Sequence, residues 1–236
     1  MTDPHRAVLL HRRGPLRVAV PLLVALLLAG SLVAGVAALL PRPARGAGER
    51  LAALLQQLHE SDPELRRNAL LGLADQGDAT VVPEVAAALR DQDLVARKLA
   101  EQALWAIWSR SGNDEVDELL RAGSLLLARG QSESSVRVFS QVIERAPGFA
   151  EGYNKRATAY YQMGEYEQSL KDIDETLQRN PFHFGALSGA GLCLVELERF
   201  EDALGFFERA LKINPNLDRI GQLKRVLEKR KKKSVI

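Results

Sequence analysis

Small, large apolar and proline positions recur at a fixed interval in the second half of the chain. Pro147, Pro181 and Pro215 stand 34 residues apart. Aligning the chain on them brings three further sets of positions into register: Gly123, Ala157 and Gly191; Phe139, Ile173 and Phe207; and Ser135, Ser169 and Ala203. Proline in a helix interior removes a hydrogen bond and clashes with the preceding turn, so each proline is expected to end one unit and open the next.

This period resembles the tetratricopeptide repeat, which has the same length and the same order of small, apolar and proline positions. The resemblance implies three units over 112–217, each a pair of antiparallel helices that can bury their apolar stripes only against a neighbouring unit. Small residues then lie where the paired helices cross. Gly130 and Gly164 mark the turns inside the first two units, and Glu198 replaces glycine in the third.

A second and different interval, of 31 residues, occupies 49–111. Four positions carry it: Asp62, Arg66, Ala69 and Leu73 recur as Asp93, Arg97, Ala100 and Leu104. The pattern resembles the short HEAT-like repeats of bacterial solenoids and of the phycobilin lyase family. Only about two units are present, so we expect them to pack against the first tetratricopeptide unit as one continuous core. The predicted fold class is therefore an all-α, right-handed α-solenoid of helical hairpins, HEAT-like and then tetratricopeptide.

An uncharged apolar run from Val18 to Leu40 follows a leader that contains four arginines. As a helix it would reach about 35 Å, enough for a hydrocarbon core of about 30 Å. Residues 1–40 are thus predicted to be a basic leader with a transmembrane anchor, or alternatively a cleaved signal peptide. The charge bias places the repeats on the extracytoplasmic, periplasmic side, and cleavage would make the chain periplasmic or secreted. Residues 41–48 are predicted to be a linker.

Two features at the joins of the repeats allow more than one interpretation. Trp105 and Trp108 share one helical face, either as an aromatic platform for a ligand or, as we favour, as a plug that seals two unlike repeat types. His183, between Phe182 and Phe184, is expected to be a half-buried packing residue rather than an acid or base. Cys193 is expected to be a buried structural thiol.

Composition and motifs argue against an enzyme. The chain is 46% apolar and 26% charged, as a folded protein is, and its net charge of +2 makes no case for nucleic acid. The four histidines, at 5, 11, 59 and 183, are not spaced as metal ligands, and no phosphate-binding loop or nucleophile motif is present. We therefore expect a non-enzymatic chain with no metal, no cofactor and no small-molecule substrate.

The tetratricopeptide resemblance implies a groove lined by the first helix of each unit. The residues that we assign to a partner-binding site there are Asp117, Ser124, Glu151, Asn154, Thr158, Tyr161, Ser188 and Leu192. We expect an extended or helical peptide, held by hydrogen bonds from Asn154 and by apolar contact with Tyr161 and Leu192. Chaperone-binding members use a clamp of Lys, Asn and Arg for a terminal carboxylate. Here only Lys155 supplies a cation, which argues against acidic chaperone tails.

A closer resemblance lies in "WSRSG" at 108–112, "FAEGYNKRATAY" at 149–160 and "NPFHFGALSGAG" at 180–191. These stretches are similar to an uncharacterised group of exported bacterial tetratricopeptide proteins, which supports export and implies no catalytic residues. The function predicted is an anchored or exported interaction scaffold. The alternatives are a regulatory subunit of an envelope enzyme complex and a HEAT-like lyase that handles a ligand or chromophore.

The last 19 residues, 218–236, are predicted to form a capping helix with a basic tail. Its apolar positions follow helical spacing: Ile220, Leu223, Val226 and Leu227. They would cover the exposed face of the third unit. Residues 229–233 are five consecutive cations, which suit a soluble helix end. Nucleic acid or an anionic lipid surface is the alternative role.

Overall fold

The computed structural model describes residues 47–234, with side chains from 48 to 231. This part of the chain is helical, and the predicted α-solenoid of hairpins is confirmed. The basic leader and the apolar segment Val18–Leu40 lie outside the described residues. Of the helices between 47 and 234, none has the length and apolar character needed to cross a bilayer.

The HEAT-like part consists of four helices with two short 3-10 turns, Ala79–Val81 and Ala88–Arg90. The four helices are α1 (Ala47–Gln57), α2 (Pro63–Gln76), α3 (Val82–Ala87) and α4 (Leu94–Trp108). The recurring aspartates begin helices, because Asp62 accepts a hydrogen bond from the amide of Glu64 and Asp93 from that of Ala96. Asp93 also pairs with Arg67 at 2.7 Å, which ties the start of α4 to α2.

Three helical hairpins follow, as the 34-residue interval predicts. They are α5 (Asp114–Ala128) with α6 (Ser132–Arg145), α7 (Ala150–Gln162) with α8 (Tyr166–Arg179), and α9 (Phe184–Glu196) with α10 (Phe200–Ile213). The paired helices cross at small residues. A Cβ on Gly123 would come within 2.5 Å of the ring of Phe139, and one on Gly191 would overlap Phe207. The aligned glycines are therefore required by close helix contact.

A last helix, α11 (Asp218–Ser234), covers the third hairpin. Ile220 and Leu227 are buried against a cluster that contains Phe207, as expected of a capping element. Val226 does not join them, and 60% of it is exposed. It lies six residues after Ile220, which at 100° per residue turns it well away from the buried stripe. Its assignment to the apolar face was wrong.

The HEAT-like part packs against the third tetratricopeptide unit, not the first. Its buried core includes Phe184, with Phe182, Ile213 and Leu217 packed around it. Among the described residues, the first unit contributes no side chain to this core. The expected continuous core with the first unit is therefore wrong.

The reason for this packing is visible in the repeat alignment. Positions 182 and 213 carry Phe and Ile in the third unit, whereas the equivalent positions carry Gly148 and Arg179 in the second and Asp114 and Arg145 in the first. Only the third unit presents large apolar side chains at this edge. Polar contacts complete the junction: the side-chain amide of Asn216 donates to the carbonyl of Leu89 at 2.8 Å.

Candidate functional site

A small cleft opens between the first helices of the second and third units. Its volume is about 40 Å³, and its floor is formed by residues of α7, α8 and α9. The residues that line it are Asn154, Ala157, Thr158, Tyr161, Ser169, Ile173, Gly185, Ala186, Gly189 and Leu192. None of these ten residues carries a charged side chain. Gly189 leaves the space open, because a Cβ there would make only an ordinary 3.5 Å contact with Ile173.

The structure brings four of the eight predicted site residues together at this cleft: Asn154, Thr158, Tyr161 and Leu192. Asp117 and Ser124 lie on α5 and are half-buried, and they do not line the cleft. Glu151 and Ser188 are buried and also lie outside its lining. The predicted site did not include Ala157 and Ile173, which the repeat alignment had placed at helix-packing positions, or Gly189, which stands at a clamp position of the tetratricopeptide groove.

Several of the polar site residues already bond to their own helix. The hydroxyl of Thr158 donates to the carbonyl of Asn154 at 2.9 Å, and that of Ser188 donates to Phe184 at 2.7 Å. Ser124 does the same toward Leu120 on α5. Asp117 accepts the amide of Ser111 at 2.7 Å, which fixes the turn before α5. These hydroxyls therefore offer a partner mainly their oxygen lone pairs.

A buried polar cluster lies beneath the start of α7 and α9. Glu151 is 1% exposed and accepts hydrogen bonds from Nε2 of His183 at 2.9 Å and from Nδ2 of Asn154 at 3.1 Å. Lys155 lies 3.3 Å from its other carboxylate oxygen. Nδ1 of His183 accepts the amide of Ala186, which leaves the ring proton on Nε2 for Glu151. His183 is therefore fully buried rather than half-buried as predicted.

The charges within this cluster balance one another. Burial alone would raise the pKa of Glu151, but the charge of Lys155 and the hydrogen bond from His183 outweigh it, and its pKa is lowered. Lys155, the cation at a predicted clamp position, is thus committed to Glu151 in the protein interior. Its positive charge is therefore already offset by a buried carboxylate.

The two tryptophans sit where the HEAT-like part meets the third unit. Trp108 stacks on the ring of His183, with centroids 4.4 Å apart, and Trp105 contacts both His183 and Phe184 edge-on. Trp105 reaches so close to α9 that a Cβ on Gly185 would come within 2.5 Å of its ring. The two tryptophans therefore form the predicted plug, but they pack against the third unit and not the first.

Tyr161 stands at the rim of the cleft, with its ring 5.5 Å from that of Tyr166. Burial, followed by the nearby charge of Glu196, raises its pKa, so the phenol is neutral at physiological pH. Burial also raises the pKa of Cys193 to about 11, and its thiol lies 3.3 Å from the hydroxyl of Ser169. Cys193 is therefore an unreactive packing residue, as predicted.

No group of three or more His, Cys, Asp and Glu side chains is arranged to hold a metal within the described part of the chain. The buried carboxylate of Glu151 contacts His183, Asn154 and Lys155 and is not part of the cleft lining. What the cleft offers is an uncharged, mostly apolar recess with an amide, two hydroxyls and a phenol at its edges.

Comparison with known proteins identifies both repeat types. A tetratricopeptide repeat family model matches residues 154–218, and a HEAT repeats model matches 51–134. The first match begins within the second hairpin and covers the third, and the second match extends from the HEAT-like part into the first hairpin. The chain thus contains tetratricopeptide repeats preceded by HEAT repeats, in the order that the two sequence intervals predict.

Similar curated proteins share the repeat region. A TPR repeat-containing protein of Rhizobium etli is 32% identical over 49% of this chain. DnaJ homolog subfamily C member 3 of Homo sapiens is 28% identical over 44% of this chain. Hsp70-Hsp90 organizing protein 1 of Glycine max is 24% identical over 42% of this chain. The chain spans 56% of the first relative's length and about a fifth of the other two.

Solved structures with a similar arrangement are also tetratricopeptide proteins. The Sgt2 TPR domain from Aspergillus fumigatus aligns with 52% of this chain and 82% of its own, at 20% identity and a TM-score of 0.49. YrrB, described as a TPR protein with an unusual peptide-binding site, aligns with 76% of this chain and 84% of its own, at 20% identity and a TM-score of 0.45.

Proposed function

We propose that this chain is a non-enzymatic scaffold that binds a protein partner through the cleft between α7 and α9. The observation that carries the proposal is the uncharged lining of that cleft, beside a buried carboxylate that His183, Asn154 and Lys155 already contact. Stacked tetratricopeptide units are protein-interaction modules whose curvature creates extended binding surfaces. An uncharged recess selects an apolar anchor side chain, since a charged one would lose its hydration without gaining a partner.

The residues at the edge of the cleft suit a peptide backbone. The hydrogen bond from Nδ2 of Asn154 to Glu151 holds that amide in place, so its oxygen can accept a backbone N–H of the partner. Tyr161 can donate from its neutral phenol and cover the anchor with its ring. Thr158 supplies a further acceptor. Asp117, Ser124, Glu151 and Ser188 would then support the groove without touching the anchor.

The test of this proposal is to fill the recess. Gly189→Leu places a side chain into the cleft, and its Cβ is accommodated without a clash. Gly205→Leu is a matched control, because Gly205 lies on the exposed side of α10 with open space around it. Affinity capture from detergent-solubilised membranes of the source cell should recover a defined partner with wild type and Gly205→Leu, and not with Gly189→Leu. Equal recovery with both variants would contradict the proposed site.

We further propose that Val18–Leu40 anchors the chain in a membrane with the repeats on the extracytoplasmic side. The support is the length of the uncharged run and the arginines before it. A periplasmic alkaline phosphatase fused after Ile236 is expected to be active in a bacterial host, because that enzyme needs disulfides that form outside the cytoplasm. Normal expression of an inactive fusion would contradict this orientation. Sodium dodecyl sulfate electrophoresis of the same fusion distinguishes an uncleaved anchor from a cleaved signal.

A further inference from the structure

Charge is unevenly distributed along this nearly neutral chain. Helix α11 contains eight Lys and Arg residues against two acidic ones, whereas residues 47–217 contain 18 basic and 27 acidic residues. With the six arginines and one aspartate of residues 1–46, these parts give the overall charge of +2, which conceals an acidic body and a strongly basic final helix. Such a separation concentrates a positive potential on one surface, which acts on partners that the net charge would not predict.

The face of α11 that meets α10 is occupied within the fold. Ile220 and Leu227 are buried there. Lys224 lies 3.3 Å from Glu208 of α10 and 2.7 Å from Glu228. The guanidinium of Arg230 lies 4.4 Å from the ring centroid of Phe200. These contacts fix the rotation of α11 about its axis and therefore determine which residues face solvent.

The opposite face of α11 is cationic and carries an exposed apolar residue. Arg225, Val226 and Lys229 are all exposed. Within the described residues no acidic side chain pairs with Arg225 or Lys229. Within the described residues the aliphatic side chain of Val226 stays 60% exposed. Cations that flank an exposed aliphatic side chain on one helix face match the interface of a bilayer that contains anionic lipid.

We propose that this face of α11 lies on the surface of an anionic phospholipid bilayer, with the cations at the phosphate groups and Val226 at the edge of the acyl region. This contact is separate from the proposed insertion of Val18–Leu40. Lipid is favoured over nucleic acid because residues 218–236 contain no aromatic side chain on which a base could stack. The acidic body would be repelled by the same surface, so α11 would orient the whole solenoid.

The experiment uses the full chain with an environment-sensitive fluorophore on Gln222→Cys. Gln222 is exposed one turn before Val226, and the native Cys193 is buried with a raised pKa, so the label goes to the new thiol. The labelled protein is mixed with vesicles of phosphatidylcholine alone, or of phosphatidylcholine with phosphatidylglycerol. We expect a blue-shifted emission component only with phosphatidylglycerol, and its loss when salt is raised.

The variant Arg225→Gln/Lys229→Gln should lower the ratio of surface-bound to free α11 by about 30-fold, since each cation near such a surface contributes on the order of 1 kcal/mol. Arg129→Gln/Arg137→Gln removes the same charge from exposed positions on the first hairpin and should leave the ratio unchanged.

Two results would overturn the proposal. One is an emission spectrum that does not depend on phosphatidylglycerol. The other is a label that responds to single-stranded RNA but to neither vesicle, which would assign the basic face to nucleic acid. Flotation with phosphatidylcholine vesicles reports on insertion of Val18–Leu40 independently, so failure of the anchor and failure of the α11 contact are distinguishable.

Discussion

Glu198 occupies a turn position that glycine fills in the other two units. Its φ is 58°, close to the 75° of Gly130 and the 78° of Gly164. A side chain in this left-handed region costs roughly 1–2 kcal/mol through contact of Cβ with the backbone. The repeat geometry therefore imposes the same conformation on the turn whether or not the residue suits it.

Replacing this residue should stabilise the protein. Glu198→Gly is expected to raise the free energy of unfolding by about 0.5–1 kcal/mol, because relief of the Cβ contact exceeds the added entropy of the unfolded chain. Urea unfolding followed by circular dichroism measures the change. Glu198→Ala removes the same charge but keeps Cβ, so it should give no such gain. Equal gains from both variants would show that the backbone conformation is not the cause.

At the scale of elements, the buried cluster of Glu151, Lys155 and His183 joins α7 to α9, and Trp108 of α4 stacks on it. Because the pKa of Glu151 is lowered in the folded state, its carboxylate contributes stability above the ordinary value of 4.5. That contribution is lost as pH falls through the lower, folded-state pKa. We therefore expect acid to weaken the packing at the junction between the two repeat types.

Glu151→Gln should lower the free energy of unfolding by about 3–5 kcal/mol at neutral pH, because Lys155 stays buried without its carboxylate. The difference in free energy of unfolding between wild type and variant should become smaller as pH falls below 4.5, where wild type loses the same interaction. Urea unfolding at neutral and acid pH measures both effects. Glu118→Gln is the control, since Glu118 forms an exposed pair with Arg121 and should change stability little. A difference that stayed constant with pH would contradict this account of the cluster.

The helical hairpins could be predicted from sequence because their signals are local. Prolines, crossing glycines and the apolar period all act within one unit, so the interval alone places the helices. The docking of the HEAT-like part could not be predicted in this way, because it depends on which distant unit presents Phe182 and Ile213 at the right edge. A comparison of these two positions among the three units would have indicated that only the third unit offers large apolar side chains there.

The candidate site was predictable only in part for the same reason. Asn154, Thr158, Tyr161 and Leu192 meet at the cleft because their spacing places them on one side of successive first helices. Glu151 shares that spacing, yet it is buried by His183 from the next unit and by Asn154. The spacing of residues along a helix sets the direction in which each side chain points. Whether that side chain is accessible depends on which residues pack against it.

On the scale of the whole molecule, the chain combines a repeat array, a HEAT-like part packed against its last unit, and a basic final helix. Trp105 of the tryptophan plug lies against Gly185, which lines the cleft. A partner would therefore approach the cleft from the side of Tyr161. The proposed membrane contacts, through Val18–Leu40 and α11, would hold this opening at a defined orientation to the bilayer.

The most direct measurement places a photo-cross-linking amino acid at Thr158, at the cleft, or at Arg137, exposed on α6. Irradiation during capture should join the partner to the chain from position 158 and not from 137, and Gly189→Leu in the same chain should abolish the cross-link. Cross-linking from position 137 alone, or cross-linking from 158 that persists in Gly189→Leu, would contradict binding in the cleft between α7 and α9.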